Sequence, residues 1–303
     1  MDSFVDSFMD SFIKKLTKTY HRSVYPAVTP TRPELSQAGK TVLITGASTG
    51  IGYHVAKSFV QAKAEKVIIL GRRVDKVKAA AESLSAESQG TKVVAIPCDV
   101  GSPTAVAELW GRLAGEGTRI DVLVLNAANT GIVKPLMEQG LAGVWEAYDF
   151  NVRAQFDMTE RFYKQELGAG IKKYLIHVST GAVHNFDATA VMPTYSMTKH
   201  AGALTLQLVA YDIPPEDMQV IIFHPGAIFT EAAESQGFTK DSLPWEDVSL
   251  AGGFAVWAAT PEAEFIHGRF VWAGWDVDEL KTGELGKRLK EDPNFLKFGV
   301  NGI

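Results

Sequence analysis

The stretch Thr45-Gly46-Ala47-Ser48-Thr49-Gly50-Ile51-Gly52 joins two unlike neighbours. Before it, Lys40-Thr41-Val42-Leu43-Ile44 is short, apolar and β-branched, which predicts a buried strand. After it, Val55, Ala56, Phe59 and Val60 share one helix face within Tyr53 to Ala62. A strand, a tight glycine turn and a helix N-terminus form a phosphate-binding corner, because free N–H groups and the positive end of the helix dipole meet there. Glycine is required where the backbone turns sharply or must approach a ligand without a Cβ. The three glycines are spaced four and then two apart. The common G-x-G-x-x-G fingerprint has the opposite order, so the spacing points to a particular subset of nucleotide folds.

The rest of the chain bounds what such a corner can serve. Its 303 residues suffice for one large domain or two small ones. Hydrophobic residues make up 46% and charged residues 21%, the balance of an ordinary globular protein. The net charge of −5, with no basic block, argues against a nucleic-acid surface. Cys98 is the single cysteine, so no intrachain disulfide forms and a reducing, cytoplasmic setting is expected. The longest apolar candidate, Leu250 to Ala259, falls short of the roughly 18 residues of a membrane span and contains two glycines.

Residues 1–39 stand apart. Asp2-Ser3-Phe4-Val5, Asp6-Ser7-Phe8-Met9 and Asp10-Ser11-Phe12-Ile13 repeat one unit. On a helical wheel Phe4, Val5, Phe8, Met9, Phe12, Ile13 and Leu16 share one side. The order of early Asp and late Lys14, Lys15 and Lys18 suits the helix dipole. Such a face packs on its own domain or a sister subunit, or lies on a membrane surface. Tyr20 to Gly39, dotted with Pro26, Pro30 and Pro33, is expected to be an extended linker.

From Lys40 onward strands and helices alternate. Strands are predicted at 40–44, 66–70, 92–97, 122–125, 173–178, 219–223 and 268–272. Helices are predicted between them at 53–62, 74–85, 104–113, 141–167 and 195–212. This α/β alternation predicts a doubly wound parallel sheet of about seven strands in one domain, covered by helices on both faces. Ligands bind such folds at the carboxyl ends of the strands.

Several residues at those ends carry chemistry. The second strand ends Gly71-Arg72-Arg73. An acid there would hydrogen-bond the ribose 2′-OH of NAD, whereas Arg suits a 2′-phosphate, so NADP(H) is favoured over NAD(H). The competing reading is a solvated arginine pair at a helix start. Ser48 can add a hydroxyl contact to that phosphate. Asp99, before Val100, can accept from an adenine amino group or serve as a turn residue. Asn126 and Ala127 follow the fourth strand; Asn126 can tie neighbouring strands and small residues admit a ligand. Tyr195 and Lys199 are four apart on one helix face. An ammonium beside a phenol lowers its pKa from about 10, which makes Tyr195 a usable general acid/base. Ser179 and Thr180 offer hydroxyls at the end of the preceding strand. The histidines 177, 184, 200, 224 and 267 lack metal-ligand spacing, so no metal is expected. Of these, His184 is the one expected near substrate.

Together these residues resemble the short-chain dehydrogenase/reductase family over roughly residues 38–275, and the tail from Trp275 to Ile303 is similar to that of fungal members, which often serve secondary metabolism. The family's T-G-x-x-x-G-I-G stands at Thr45 to Gly52 and its Y-x-x-x-K at Tyr195 and Lys199. Its P-G-x-x-x-T is Pro225-Gly226-Ala227-Ile228-Phe229-Thr230. Its N-N-A-G appears as Leu125-Asn126-Ala127-Ala128, without the first Asn and the glycine, and its helix asparagine is Asn151. The family's catalytic serine falls on Thr180, with Ser179 as competitor.

The resemblance implies a Rossmann-type catalytic domain over 40–275, a substrate lid at about 229–250 and a C-terminal helical tail over 276–303. It implies cofactor contacts from Gly46, Ser48, Thr49, Gly50, Ile51 and Gly52, from Arg72, Arg73, Asp99, Val100, Asn126 and Ala127, and from Tyr195, Lys199, Pro225, Gly226, Ile228 and Thr230. The implied reaction is hydride transfer between a nicotinamide and a carbonyl or secondary alcohol. Thr180 or Ser179 binds the carbonyl oxygen and Tyr195 donates the proton. Lys199 binds the nicotinamide ribose and lowers the Tyr195 pKa, and Asn151 holds a water that links Lys199 to solvent. Thr230 and the backbone near Ile228 hold the carboxamide. A homo-oligomer built through helices is implied too. Phe229, Phe238 and Trp245, with Phe186 and Met192, predict either an apolar substrate surface or simple lid packing.

Two rival functions share parts of this pattern. A nucleotide-sugar epimerase or dehydratase uses the same Tyr/Lys pair, but with G-x-x-G-x-x-G spacing and a larger C-terminal domain, neither of which this chain has. A non-catalytic NADPH-binding regulatory protein would not need Asn151, Tyr195 and Lys199 together.

Overall fold

A computed structural model of the chain describes residues 16–166, 170–184, 189–190, 192–235 and 237–299. Most of the expected N-terminal amphipathic helix lies outside the described residues, as does Phe186. The frame is a seven-stranded parallel sheet in the order β3-β2-β1-β4-β5-β6-β7. The strands are β1 (Thr41–Ile44), β2 (Lys66–Gly71), β3 (Lys92–Pro97), β4 (Val122–Leu125), β5 (Lys173–Val178), β6 (Met218–His224) and β7 (Phe270–Trp272). On the sides lie α1 (Gly50–Gln61), α2 (Val74–Glu87), α3 (Pro103–Gly115), α4 (Leu136–Tyr148), α5 (Ala154–Lys164), α6 (Pro193–Asp212) and α8 (Val248–Ala258). A short α7 (Glu231–Ser235) follows β6, and α9 (Val277–Lys281) and α10 (Gly283–Glu291) form the tail.

The sequence pattern explains the layers. β4 and β6 are buried at every residue, as expected of central parallel strands covered on both faces. The edges are blunted: β7 has three residues and β3 ends in Pro97. Helix α8 is apolar on all sides and buried from Leu250 to Ala258, packed against α1. Among the described residues no helix is long and apolar enough to cross a membrane.

The chain departs from the predicted elements in two places. Helix 141–167 is broken: Asp149–Arg153 form a π-turn between α4 and α5. Such turns insert one extra residue per turn and re-aim a side chain, here that of Asn151. The stretch Tyr20 to Gly39 is a packed strap and not an extended linker. Pro26 and Pro33 open two short 3₁₀ turns, where their fixed φ suits the first position. Val28, Leu35 and Gln37 between and after them are fully buried. Tyr20 bridges Trp275 in antiparallel fashion, and the His21 ring stacks on Tyr25 at 3.6 Å. The Tyr25 hydroxyl donates to Trp275 O at 3.0 Å and accepts from Val277 N–H at 3.2 Å. Proline punctuation signalled an irregular backbone correctly; the apolar residues beside the prolines decided that it would be buried.

A strap that belongs to the core has a measurable cost of removal. Leu35→Ala is expected to lower the urea-unfolding free energy by about 2–5 kcal/mol, the range for truncating a buried leucine. A loss below about 0.5 kcal/mol, typical of surface changes, would return the segment to linker status.

Candidate active site

The glycine turn sits where the strand order reverses, between β1 and β4, the position at which open α/β sheets leave a crevice. Thr45, at the end of β1, is buried and its hydroxyl faces Val124 O at 3.3 Å. That hydroxyl also accepts from the N–H groups of Asn126 at 2.9 Å and Ala127 at 3.0 Å. The Asn126 amide returns two bonds, to Thr45 O and Gly46 O, both 3.0 Å. Within the glycine motif, Thr45 is the group that latches the two strand ends. Gly46 has φ +65° and stands so close that a Cβ there would be 2.9 Å from Ala127 Cα. A Cβ on Gly52 would collide with the Gly46 carbonyl and the Asn126 amide. Thr49 precedes α1 without a side-chain cap, so the first N–H groups of α1 keep their capacity for an anion. This cradle, shaped by missing side chains and an uncapped helix end, fits the pyrophosphate of a dinucleotide.

The remaining predicted contacts fall around it. A Cβ on Gly71 would lie 3.2 Å from Ser48 Oγ, so Ser48 stands against the end of β2. The Arg72 guanidinium lies 5.9 Å from the Phe150 ring centre, and Arg73 is 3.9 Å from Glu231 at the start of α7. Asp99 accepts from Gly101 N–H at 3.0 Å, the turn role, with Val100 buried beside it. Thr230 meets the glycine turn directly: its methyl is 3.5 Å from where a Gly50 Cβ would stand. This contact brings Pro225–Thr230 to the corner across more than half the chain.

The hydroxyl and amine groups converge at the end of β5. The Tyr195 phenol on α6 stands against the Thr180 hydroxyl, which as a donor favours the phenolate; Thr180 Oγ1 itself accepts from Ala182 N–H at 3.3 Å. Ser179 is buried, and its hydroxyl has no partner among the described residues. Between the two expected candidates, Thr180 is the one in contact with Tyr195.

Lys199 corrects an expectation. Its ammonium donates to Val178 O at 2.6 Å and faces His177 Nε2 at 3.2 Å, with both side chains buried. Burial draws the Lys199 pKa down to about 7. His177 is held well below its ordinary value, by burial first and then by the Lys199 charge, so its neutral imidazole accepts from the amine. Tyr195 moves the opposite way from the sequence expectation: burial pushes its phenol up to about 12, against the pull of the Thr180 bond. The i,i+4 spacing is real, but the ammonium is turned toward β5, and spacing does not report desolvation.

The Asn151 side chain is held on both sides. Its Nδ2 donates to Asn129 O at 2.8 Å and Thr198 Oγ1 at 2.9 Å, and its Oδ1 accepts from Asn129 N–H at 2.8 Å. The side chain is a clamp between the loop after β4 and α6, with both amide hydrogens committed. His184, expected near substrate, instead accepts from Trp272 Nε1 at 3.1 Å and packs on Phe270. In the lid segment Phe229 and Phe238 pack on Trp245, at 5.4 and 6.0 Å between ring centres.

The family model for short chain dehydrogenases matches residues 40–240. The chain belongs to the short-chain dehydrogenase family. It is 35% identical over 288 residues to the short chain dehydrogenase/reductase nsrO of Aspergillus novofumigatus, covering 93% of this chain and 95% of that one. A short chain dehydrogenase/reductase of Claviceps purpurea is 34% identical over 285 residues, covering 93% of each. Among solved structures, 7α-hydroxysteroid dehydrogenase complexed with NADH and 7-oxo glycochenodeoxycholic acid superposes with TM-score 0.71 at 22% identity, over 83% of this chain and 97% of that one. The Pseudomonas aeruginosa RhlG/NADP active-site complex gives TM-score 0.71 at 22% identity, over 80% and 97%. At that identity the likeness carries the Rossmann-type fold. The dehydrogenase family as a whole binds NAD(P)(H), which agrees with the cradle at Gly46–Gly52.

The buried amine has a thermodynamic signature. The folded dehydrogenase releases the Lys199 proton near pH 7, while the unfolded chain holds it to about pH 10.5. Across that window the unfolded state binds more protons, so the penalty for burying this amine is complete below pH 7 and shrinks as pH rises. Lys199→Met is therefore expected to raise stability by up to about 5 kcal/mol at pH 6.5, with the gain fading toward pH 10. Urea melts at pH 6.5 and 9.5 measure this. A variant less stable than wild type at both would make the amine a net stabiliser.

Proposed function

We propose that this dehydrogenase is an NADP(H)-dependent oxidoreductase that interconverts a ketone and a secondary alcohol on an apolar small molecule. The feature that carries the reading is the Thr180 hydroxyl at the end of β5 against the Tyr195 phenol, with the buried Lys199 one turn further along the same helix. In the proposed reaction a bound reduced nicotinamide supplies the hydride. Thr180 and Tyr195 hydrogen-bond the carbonyl oxygen and orient its carbon. Tyr195, kept protonated by burial, gives its proton to that oxygen as the alcohol forms. Asn151 keeps α6, and with it the Tyr195–Lys199 pair, in register with the loop after β4. Lys199, drawn to a pKa near neutrality, stays on the Val178 carbonyl and His177 without holding a full buried charge. Main-chain groups at Ile228 and the Thr230 hydroxyl would hold the carboxamide, and Ser48, Arg72 and Arg73 the adenosine 2′-phosphate.

The absence of an acid after β2 and the presence of Arg72-Arg73 support NADP(H). The aromatic segment of Phe229, Phe238 and Trp245 supports an apolar substrate. Exposed Met137, Leu141 and Trp145 on α4, Phe156 on α5 and Leu208 and Tyr211 on α6 support a homo-oligomer that covers them. The single, buried Cys98 supports a reducing compartment, the cytoplasm. The Aspergillus and Claviceps relatives support a role in fungal secondary metabolism.

Following reduced-nicotinamide absorbance over a panel of ketones tests the reaction. Tyr195→Phe is expected to lose about 10²–10⁴-fold in kcat. Thr180→Val is expected to lose about 10²-fold, as on removal of one donor to a developing oxyanion. Ser179→Ala should stay near wild type, and the reverse pattern would move the role to Ser179. Full turnover by Tyr195→Phe sinks the mechanism.

The cofactor preference has its own test. Arg72→Ala with Arg73→Ala should lower the ratio of NADPH to NADH affinity by about 10–100-fold, the loss expected of charged hydrogen bonds. An unchanged ratio in a fluorescence titration removes the arginines from the argument.

A further inference from the structure

Glu246, just before α8, is a buried carboxylate that no part of the proposed reaction uses; its side chain is 1% exposed. A carboxylate out of water is costly unless each oxygen finds a partner. One oxygen accepts from Ala227 N–H at 2.7 Å. The Glu246 N–H in turn donates to Ala227 O at 2.8 Å, so Ala227 is gripped at both its polar groups. The fit is close: Gly226 has φ +105°, and a Cβ there would be 3.1 Å from Glu246 Cβ.

The other oxygen belongs to the N-terminal strap. Tyr20 donates its hydroxyl to it at 3.3 Å, and Arg22 Nη1 lies 3.7 Å away. Arg22 also donates to Pro244 O at 2.6 Å and accepts from Asp247 N–H at 2.7 Å, holding the backbone on both sides of Glu246. Tyr20 is seated in its turn by Gly274, where a Cβ would stand 2.6 Å from the phenol ring. A single carboxylate, 226 residues on from Tyr20, thus joins the strap to the Pro225–Thr230 loop.

The geometry of a trans peptide gives this clasp a direction. Ala227 C=O and Ile228 N–H belong to one peptide plane and point opposite ways. With Ala227 O bonded to the Glu246 main-chain N–H, Ile228 N–H is aimed away from Glu246, and the carboxylate on Ala227 N–H fixes the Gly226–Ala227 plane that leads into it. The reading of the reaction given above assigns that N–H to the carboxamide. We infer that Glu246 is a positioning residue for the nicotinamide end of the dinucleotide site, held in place by Tyr20 and Arg22 of the strap. The inference rests on the proposed dinucleotide function. An apolar residue at 246 would pack the strap and keep the main-chain bond to Ala227 O, but would leave Ala227 N–H, and with it the Gly226–Ala227 peptide plane, unheld.

Calorimetric titration with NADPH and with adenosine 2′,5′-bisphosphate, which lacks the nicotinamide, separates the two ends of the site. Glu246→Ala is expected to raise the NADPH Kd about tenfold, or 1.4 kcal/mol, and to leave the bisphosphate Kd unchanged. Glu246→Gln keeps an acceptor for Ala227 N–H and should restore most of the loss. Tyr20→Phe, at the strap, is expected to raise the NADPH Kd about threefold, again with no change for the bisphosphate. It carries the test if thermal melts show that Glu246→Ala is unfolded. Equal weakening of both ligands, or NADPH binding like wild type in folded Glu246→Ala and in Tyr20→Phe, overturns the positioning role. A wild-type protein that binds neither ligand fails the dinucleotide reading itself, a distinct result.

Discussion

The hydroxyl of Thr45 is the point on which the site depends. It faces one carbonyl across the β1–β4 gap and accepts two N–H groups from the far side. The Asn126 amide closes the same gap from the other direction. Each such bond contributes only about 0.5–1.5 kcal/mol net, but leaving a buried partner unpaired costs about 1–3 kcal/mol. Five of them in one small buried region therefore hold the glycine turn in a single geometry. Parallel strands β1 and β4 carry helices away in opposite directions, and the crevice this opens must stay open. A latch of short polar side chains does so without filling it, which larger apolar residues at 45 and 126 would not.

Much of this was legible in the sequence because it is local. The strands are continuous apolar runs, the helices carry 3.6-residue periodicity, and the glycine spacing reports a turn whose close approaches forbid Cβ atoms. The Tyr195-x-x-x-Lys199 pair was legible for the same reason. What sequence could not give is set by distant neighbours. The fate of the Tyr195 phenol depends on enclosure, and that of Lys199 on Val178 and His177 from another element. The committed side chain of Asn151 depends on Asn129 and Thr198. The strap looked like a linker because its prolines are a local signal. Val28 and Leu35 declare themselves only against the helices they pack on.

The electrostatics of the site follow from this long-range packing. The elements around Lys199 bring it a carbonyl and a neutral imidazole, neither of which compensates a full positive charge. The ammonium is therefore destabilised, and the phenol beside it stays neutral. A neutral phenol bonded to a neutral hydroxyl suits proton donation, which is the direction of carbonyl reduction. In the reverse direction the same group must first lose its proton.

Two buried ionisable groups, Lys199 and Glu246, are not explained by stability. Apolar residues of similar size would pack both positions at lower desolvation cost. A structural reading predicts that such groups are dispensable; a functional one predicts that each fixes something an apolar side chain cannot. For Lys199 that something is an amine of near-neutral pKa set against the end of β5, on the helix that carries Tyr195. For Glu246 it is the direction of one peptide plane in the Pro225–Thr230 loop. The strap belongs to the second: by supplying Tyr20 and Arg22 it makes the carboxylate tolerable in the interior. On this view the segment before the first strand is not an appendage to the dehydrogenase domain. It is the element that allows a charged side chain to reach the site from behind.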